Sequence, residues 1–419
     1  MTMRELDVWW NGRVVGKLAQ DRHGDLSFTY SPAWLDDERA PPLSVSLPKR
    51  AEAFSRRECR PFFGGLLPEE GQRDAVAQAL GVSRANDFAL LDRLGGDVAG
   101  ALQLLPPGET LAVPSPQDRA APLDDAALLG VLEALPTRPL LAGGEGIRLS
   151  LAGVQAKVPV VLVDGAVALP APGQPTTHIL KPPIARFPAT TENEAFVMRL
   201  AGAVGLDAAP AEPRIVLGRP FLLVGRYDRT KTVDGLVQRI HQEDFCQALG
   251  VPPETKYASE GGPGFKECFG LLRRIAARPA VEVIKLLDAV IFNVIAGNAD
   301  AHGKNFSILY DGQGPRLAPL YDLLATVAYP GLSPKFAMRI GRKATLAELD
   351  AKGWAAFAAD AGLGMPLVRR RILELSQSVI IQAPAVAAAM TNDGLDDAAL
   401  SDFALMVGSR AERCAETIR

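Results

Sequence analysis

A polar loop interrupts the most apolar part of the chain and constrains its fold more than any other feature. Residues 281–296 carry apolar side chains at the spacing of a buried helix. The stretch NADAHGKN follows at residues 298–305, and an apolar, β-prone run begins at residue 306. The pattern predicts a loop held between a helix and a strand. Loops on such rigid supports commonly carry functional side chains.

Two residues of this loop, and one beyond it, have the spacing of a phosphoryl-transfer site. Asp300 and Asn305 are five residues apart, as in the catalytic loop of protein kinases, where the Asp accepts a hydroxyl proton and the Asn binds Mg²⁺. Asp322 comes 17 residues after Asn305, beyond two predicted strands, where it would suit a second metal ligand. The transferring phosphoryl group needs hard cations held by oxygen atoms. The alternative is that Asp300 and Asn305 only form turns, where both residue types are common.

Composition limits the other classes of protein. The chain has 419 residues, enough for about two or three domains, and a net charge of −3 that gives no bulk attraction for nucleic acid. Its four cysteines are widely spaced, so we expect a reducing cytosol and neither a disulfide framework nor a zinc site. The start of the chain lacks the apolar run of a signal peptide, and we find no apolar, uncharged run of about 18 residues to predict a membrane span.

Local patterns divide the chain into a small sheet region, a sheet-plus-helix region and a large helical region. Asn11-Gly12 lies between the β-prone residues 6–10 and 13–18, the strongest short hairpin signal, and a third strand is predicted at 26–30. Further strands are predicted at 158–163, 178–181, 215–217, 221–224, 306–310 and 316–320. Helices are predicted at 69–80, 85–94, 124–135, 191–204, 244–249, 265–277, 281–296, 346–361, 365–378 and 400–416.

The sheet-plus-helix region contains a candidate for each nucleotide-binding part of a kinase. The segment SLAGVQAK at 150–157 precedes a strand and is, with one central glycine, a weak phosphate loop by itself. Lys181 ends a short strand, and Glu194 on the next helix is placed to pair with it, as a Lys–Glu pair does in protein kinases. The alternatives are a solvated strand-end lysine and, for Glu194, a capping box with Thr191 as N-cap.

The order of these pieces predicts the fold. The pieces follow one another in the order found in a kinase. That order is loop, strand, lysine, helix with glutamate, strands, helices, catalytic loop, strand pair and final Asp. We therefore predict an α+β, protein-kinase-like two-lobed fold with an N-terminal β-rich subdomain and a large all-helical C-terminal lobe. The predicted divisions are a hairpin-rich subdomain (1–105), a linker with a short helix (106–146, Pro-rich from 106 to 122), a small-lobe-like region with the phosphate loop (147–240) and a helical lobe with the catalytic loop (241–419).

At these motifs the chain resembles the HipA toxins of bacterial type II toxin–antitoxin modules. The resemblance spans most of the chain, including the N-terminal hairpin. It rests on GGLLPE (64–69), SLAGVQAK (150–157), THILKP (177–182), ENE (192–194), GRYDR (225–229), HQEDFCQALG (241–250), KY (256–257) with GGPG (261–264), DAHGKN (300–305) and PLYD (319–322). The hinge departs from the family pattern, since Gly225 and Tyr227 stand where Glu and Phe are expected, but contacts made by the backbone survive such changes.

The resemblance implies roles for individual residues. Asp300 falls on the catalytic base, Asn305 and Asp322 on the metal ligands, Lys181 on the lysine that binds ATP phosphates, and Ser150 on an autophosphorylated serine. The resemblance also places ATP-binding contacts on a larger set of residues: Ala152, Gly153, Val154, Gln155, Ala156 and Lys157 of the phosphate loop, Gly225, Arg226 and Tyr227 of the adenine hinge, and His302, Gly303, Lys304, Asn305 and Tyr321 around the catalytic loop. For Ser150 the alternative is an exposed serine at a strand entry.

The resemblance also implies an activity and partners. We expect a non-specific serine/threonine protein kinase that uses ATP and Mg²⁺ and phosphorylates an aminoacyl-tRNA synthetase, glutamyl-tRNA synthetase by default, to stop translation and cause dormancy. A HipB-like helix-turn-helix antitoxin and operator DNA are the expected partners in repression. Two alternatives stay open: a small-molecule, antibiotic-type phosphotransferase, and a non-catalytic co-repressor. The basic run at 369–371 is interpreted as a solvated helix face in preference to a DNA contact.

Overall fold

The computed structural model describes residues 3–109, 120–144 and 148–418. The chain forms two compact units. The first unit comprises Met1–Pro182 and Arg214–Glu254, and the second comprises Pro183–Pro213 and Thr255–Arg419. The divisions predicted at residues 105, 146 and 240 stay predictions.

Helices and strands are mixed along the described residues. In chain order the helices are α1 (Pro32–Asp36), α2 (Arg56–Gly65), α3 (Glu70–Leu80), α4 (Asp87–Leu94), α5 (Asp125–Ala134), α6 (Thr190–Ala203), α7 (Phe245–Leu249), α8 (Phe265–Ile275), α9 (Pro279–Ala296), α10 (Ala351–Asp360), α11 (Met365–Asn392) and α12 (Asp397–Glu416). The strands are β1 (Arg4–Trp10), β2 (Arg13–Gln20), β3 (Leu26–Tyr30), β4 (Leu102–Leu105), β5 (Val158–Val163), β6 (Ala166–Ala168), β7 (His178–Lys181), β8 (Ala211–Val216), β9 (Arg219–Gly225), β10 (Arg229–Lys231), β11 (Val237–Arg239), β12 (His241–Asp244), β13 (Ser307–Asp311) and β14 (Gly314–Leu317).

The N-terminal sheet of the first unit has the order β3-β2-β1-β4, and its neighbouring strands are antiparallel. Asn11 (φ 45°) and Gly12 (φ 83°) form the turn between β1 and β2. A two-residue hairpin turn of this kind requires positive φ at both positions, which Asn and Gly adopt most readily. The predicted hairpin and third strand are confirmed, whereas β4 was not predicted.

Helices α2 to α4 complete the core over this sheet. Phe28 and Phe54 are buried with Phe62 and Phe63 of α2 in one apolar cluster. Helices α3 and α4 lie within two residues of their predicted bounds. Helix α2 was not predicted. Pro61 lies inside it, and proline in a helix interior normally argues against a helix.

The second sheet of the first unit has the order β6-β5-β7-β9-β8. Leu180 of β7 faces Val158 of β5 on one side and Leu223 of β9 on the other, and these side chains are buried with Leu128 and Leu132 of α5. The predicted strands at 158–163, 178–181 and 221–224 are confirmed, whereas β8 begins four residues before its predicted start at 215 and β6 was not predicted. Most of the predicted Pro-rich linker, at residues 110–119, lies outside the described residues.

The second unit is mainly helical and contains the predicted strand pair as the β13-β14 hairpin, so the prediction that the C-terminal lobe is all helical is wrong. Several predicted helix bounds are wrong: α10 begins five residues after its predicted start at 346, and α12 begins three residues before its predicted start at 400. Helix α6 begins before Thr191, with Ala189 at its N-cap and Thr191 buried inside it, so the predicted cap at Thr191 does not form. Helix α11 does not stop near Ser378 but continues through Pro384 to Asn392, where its packing against α12 outweighs the local proline signal.

Among the described residues one helix, α11, is long and apolar enough to cross a membrane by length and composition alone. No membrane span was predicted from the sequence here, because Ser and Gln interrupt the apolar run. This is weak evidence, since core helices of soluble proteins meet the same criterion. Within its own unit α11 packs against α12, α9 and α6, and Arg371 binds the Asp288 carboxylate of α9 through two nitrogens at 2.7 and 2.8 Å.

Candidate active site

The candidate catalytic loop starts from a firmly held helix end. Gly297 ends α9 with φ 78°, and a Cβ atom there would approach a methyl group of Val327 to 2.3 Å. Arg410 of α12 donates hydrogen bonds to the last carbonyls of α9, at 3.0 Å to Ile295 and 2.7 Å to Val294. Carbonyls at a helix C-terminus lack partners within the helix, so this cation satisfies them. The loop therefore leaves α9 at a fixed point.

Hydrogen bonds then hold the backbone on the N-terminal side of Asp300. The Asn298 side chain donates to Asn293 Oδ1 at 2.8 Å and accepts from the backbone N–H of Asp300 at 3.2 Å. The Thr326 hydroxyl accepts from the N–H of Ala299 at 2.9 Å and donates to the Gly297 carbonyl. Sequence analysis assigned no role to Asn293, Asn298 or Thr326, because their partners become neighbours only in the folded unit.

The Asp300 carboxylate is exposed at the top of this loop. The hydroxyl of Tyr257 donates to Asp300 Oδ1 at 3.0 Å. The carbonyl of Asp300 accepts from the N–H of His302 at 2.8 Å, which begins the short turn Gly303–Asn305. His302 and Lys304 are buried, whereas Asp300 is exposed.

The structure brings Asn305 and Asp322 together although they are distant in sequence. Asn305 Nδ2 donates to Asp322 Oδ2 at 3.3 Å, and Asn305 Oδ1 accepts from the N–H of His302 at 3.2 Å. Asp322 is exposed and has φ 55°, a conformation that is uncommon for residues other than glycine and often marks functional sites. Its neighbour Tyr321 donates from its hydroxyl to the Lys304 carbonyl at 2.6 Å, which ties the PLYD segment to the catalytic loop.

This pair has the donor chemistry that Mg²⁺ prefers. Mg²⁺ is bound through oxygen atoms, commonly by one or two protein groups together with substrate phosphates. Asp322 offers an exposed carboxylate, and the amide oxygen of Asn305 keeps a second lone pair beside its bond to His302. The direct bond between the two side chains has to open for both to reach a cation. The residues present therefore fit a magnesium ion.

In the first unit, the segment predicted to be a phosphate loop is folded back on itself. Gly153 has φ 113°, and a Cβ atom there would lie 2.5 Å from Lys157 Nζ. Lys157 Nζ donates to the Ala152 carbonyl at 2.7 Å, and the Gly153 carbonyl accepts from the N–H of Glu69 at 3.2 Å. Gln155 donates to the Pro182 carbonyl, directly after Lys181. The positive φ therefore favours glycine at position 153, whereas the close Lys157 ammonium lies at the end of a flexible side chain that can move.

Ser150 is fully buried at the start of this segment. Its hydroxyl donates to the Leu66 carbonyl at 2.7 Å, and its N–H donates to the Asp97 carbonyl at 3.0 Å. The alternative of an exposed strand-entry serine is therefore wrong. A buried serine with a short internal hydrogen bond can receive a phosphate only if the segment first opens.

Lys181 and Glu194 are both buried, at 5% and 4% exposure. Lys181 ends β7, where it pairs with Leu222 of β9. Glu194 lies in α6, inside the helix and away from its N-cap, so the capping alternative for Glu194 is not supported. Because Lys181 belongs to the first unit and Glu194 to the second, their ion pair stays a prediction.

The segment predicted to be an adenine hinge follows β9. The N–H of Arg226 donates to the Thr177 carbonyl at 2.9 Å, so this amide is engaged within the sheet. Gly225 faces His178 across the ladder, and the Tyr227 hydroxyl donates to Gln242 Oε1. The Arg226 side chain points into the protein, where it is 7% exposed.

Arg226 belongs to a buried ion cluster that sequence analysis missed. Its members are three cations and two anions: Arg226, Arg229, Arg239, Asp97 and Asp228. Burial alone would raise the pKa of Asp97, but the guanidinium groups, Arg229 foremost, hold it below its usual range. The cluster joins the turn before β4 to the end of β9 and to the β10-β11 hairpin, which fixes the segment predicted to be the hinge.

Comparisons with known proteins match both the N-terminal and the C-terminal part of the chain to one family. Residues 6–105 match the family described as HipA N-terminal domain, and residues 149–386 match the HipA-like C-terminal domain. A Sinorhizobium fredii protein named "Putative kinase Y4mE" is 69% identical over 98% of this chain and 99% of its own length. The "Serine/threonine-protein kinase toxin HipA" of Shewanella oneidensis is 30% identical over 90% of each chain.

A solved structure supports the same assignment. The Shewanella oneidensis HipA in complex with HipB and operator DNA covers 99% of each chain with a TM-score of 0.84 at 27% identity. This match confirms the predicted kinase-like α+β fold. The matched domains, relatives and structure show that this chain belongs to the HipA family of kinase toxins.

Proposed function

We propose that this protein is an ATP-dependent serine/threonine protein kinase that transfers the γ-phosphoryl group of ATP to a hydroxyl group of a target protein. The observation that carries the proposal is the loop bearing Asp300. An exposed carboxylate is held rigidly, and Asn305 and Asp322 lie 3.3 Å apart beside the same short turn. A catalytic Asp, an Asn five residues later and a second Asp are the parts a protein kinase needs.

In the proposed reaction the hydroxyl oxygen of the acceptor attacks the γ-phosphorus, and Asp300 accepts the proton of that hydroxyl. The bond from that phosphorus to the β–γ bridging oxygen breaks, and ADP leaves with the bond's electron pair. The carboxylate is exposed, so an acceptor can reach it, and the hydrogen bonds at Asn298 and His302 fix its backbone. Positioning of this kind is the main contribution a kinase makes, because the phosphoryl group itself needs little covalent chemistry.

We assign Asn305 and Asp322 to holding Mg²⁺. A bound magnesium ion neutralises charge on the β- and γ-phosphate oxygens. Within the chain, Asp322 is exposed in a conformation that Tyr321 helps to fix through its bond to Lys304. His302, Gly303 and Lys304 form the turn that presents Asn305.

We assign the ATP contacts of the first unit to three segments. Residues 152–157 are the phosphate loop, with Gly153 allowing the backbone to approach an anion closely. Lys181 is the lysine directed to the phosphates. Gly225, Arg226 and Tyr227 are the hinge for adenine. Because the Arg226 N–H already donates to Thr177, the hinge contacts fall to other backbone groups of this segment.

The finer biological assignment follows from the family. We propose that the target is an aminoacyl-tRNA synthetase, with glutamyl-tRNA synthetase as the first candidate, and that its phosphorylation stops translation. We further propose autophosphorylation at Ser150, a cytosolic location, and a HipB-like antitoxin that joins this chain at operator DNA. The solved HipA complex with HipB and operator DNA supports the last point, since its HipA chain matches this chain along 99% of its length.

The experiment uses the full chain with labelled ATP and Mg²⁺ and compares two acceptor sets. One set is a panel of purified aminoacyl-tRNA synthetases, and the other is a panel of aminoglycosides and related small molecules. We expect label on a serine or threonine of a synthetase and none on the small molecules. Label only on a small molecule would establish the antibiotic-type alternative, and no transfer to any acceptor, with no label on the chain itself, would establish the non-catalytic one.

A further inference from the structure

Apart from the hydrogen bond from Tyr257 to Asp300, the Lys256-Tyr257 motif and its following glycines have no role assigned above. The segment forms a turn of the second unit that is closed by backbone hydrogen bonds. The Tyr257 carbonyl accepts from the N–H groups of Glu260 and Gly262, both at 2.9 Å. A Cβ atom at Gly262 would lie 2.4 Å from the Thr255 carbonyl oxygen, so only glycine closes this turn without displacing the backbone.

The turn aims the Tyr257 ring at the catalytic loop. The ring meets the His302 ring edge to face, with centroids 5.2 Å apart and planes at 81°. The ammonium of buried Lys256 lies over the Tyr257 ring, 5.3 Å from the centroid of that ring. Edge-to-face pairs and cation–π contacts of this kind fix the orientation of a ring beyond what burial alone achieves.

The backbone links the same two segments a second time. The Ala337 carbonyl accepts from the N–H of Ala258 at 3.3 Å, and the Ala337 N–H donates to the Ala299 carbonyl at 2.8 Å. Ala258 follows Tyr257, and Ala299 precedes Asp300. Ala337 therefore holds the backbone beside both Tyr257 and Asp300. The 3.0 Å hydrogen bond from the Tyr257 hydroxyl to Asp300 Oδ1 joins two side chains whose backbones are fixed in this way.

We infer that Tyr257 is a positioning residue for the catalytic base, which rests on the proposed function of Asp300. The phenol holds Oδ1 and thereby sets the rotation of the carboxylate toward the acceptor hydroxyl. A neutral donor is suited to this task, because it stabilises the ionised carboxylate that must accept a proton and adds no charge to compete with the phosphates. Tyr257 touches neither phosphate nor metal in this assignment and acts through Asp300.

The first test is the Tyr257→Phe variant, which keeps the ring and removes only the hydroxyl. We expect kcat for protein phosphorylation to fall about 10-fold, which corresponds to loss of one oriented hydrogen bond to a charged group. The KM for ATP should stay within about twofold, because the ATP contacts are elsewhere. Tyr310→Phe is the matched control: Tyr310 lies on β13 beside the hairpin turn, opposite Pro315, and its variant should keep wild-type kcat.

A double-mutant cycle then separates positioning from a structural role. In the Asp300→Asn background, removal of the Tyr257 hydroxyl should have no further effect on the residual rate, since the base it orients is gone. Equal falls in both backgrounds, or a wild-type kcat for Tyr257→Phe, would overturn the inference while leaving the kinase function intact. Full activity of Asp300→Asn alone would instead overturn the proposed base, and the inference with it.

Discussion

The buried ion cluster of the first unit gives the sharpest stability prediction. Asp97 accepts from Arg229 at 2.9 Å, from Arg239 at 2.8 Å and from the Thr176 hydroxyl at 2.6 Å, with Arg226 at 3.3 Å. Three guanidinium groups face two carboxylates there, so the cluster carries one excess positive charge. The Asp97→Asn variant keeps the volume of the side chain but raises that excess to two positive charges among side chains that are less than 10% exposed.

The expected loss is large because the arginines cannot reach water. Removing one partner of a buried ion pair typically costs about 3–5 kcal/mol, since the remaining charge is left uncompensated. The Asp92→Asn variant is the matched control in the same unit. Its carboxylate pairs with Arg4 at 2.8 Å on the surface, where Arg4 is half exposed, and surface pairs contribute about 0–1 kcal/mol.

Urea unfolding of both variants and the wild type measures the difference. We expect the free energy of unfolding to fall by about 3–5 kcal/mol for Asp97→Asn and by less than about 1 kcal/mol for Asp92→Asn. Equal and small losses in the two variants would refute the reasoning, because they would mean that the Asp97 carboxylate compensates no buried charge.

Three further predictions concern the site and the pH dependence of stability. Asp322→Ala should lose Mg²⁺-dependent ATP binding in calorimetric titrations more than it loses stability without ligand, because the side chain is exposed. Unchanged affinity would contradict its metal role. After incubation with Mg-ATP, the intact mass should show one phosphate on the wild type and none on Ser150→Ala. The phosphorylated chain should bind ATP poorly, because about −1.5 to −2 charges cannot stay in the buried position of Ser150. A phosphorylated chain with normal ATP affinity would contradict this mechanism. Burial lowers the pKa of His241 from 6.5 to about 4, so the unfolded chain binds more protons between these values and stability falls as pH drops through this window. Urea unfolding should show a loss of about 2 kcal/mol between pH 7 and pH 5, which a His241→Phe variant should lack; an identical loss in that variant would contradict the assignment.

Features set by near neighbours were predictable from the sequence. The Asn11-Gly12 turn needs only its own backbone preference, and the hairpin follows from it. The polar loop at 298–305 was predicted because a long apolar helix must end where polar residues begin, and the spacing of Asp300 and Asn305 lies within that loop. Gly153 and Gly297 both have positive φ, and at Gly297 a Cβ atom would also meet the Val327 side chain.

Features set by distant partners were not predictable. Arg239 and Asp97 of the ion cluster are 142 residues apart, and Tyr257 and Asp300 are 43 apart, so no local pattern relates them. Charged residues at such positions resemble solvated ones until the fold buries them. Helices α2 and α11 also could not be predicted in full, because each contains an internal proline, Pro61 or Pro384, and tertiary packing overrides that local helix-breaking signal.

The most direct test of the proposed mechanism compares Asp300→Asn with Asp311→Asn for transfer of labelled phosphate from ATP to the acceptor protein. Both variants remove one carboxylate in the second unit, and Asp311 lies on β13 in a bond to Arg316. We predict that Asp300→Asn lowers the rate by about 10²- to 10⁴-fold through loss of the general base, with ATP affinity and unfolding free energy near wild type, while Asp311→Asn stays active. A rate for Asp300→Asn close to that of Asp311→Asn would contradict the assignment of Asp300 and, with it, the proposed mechanism.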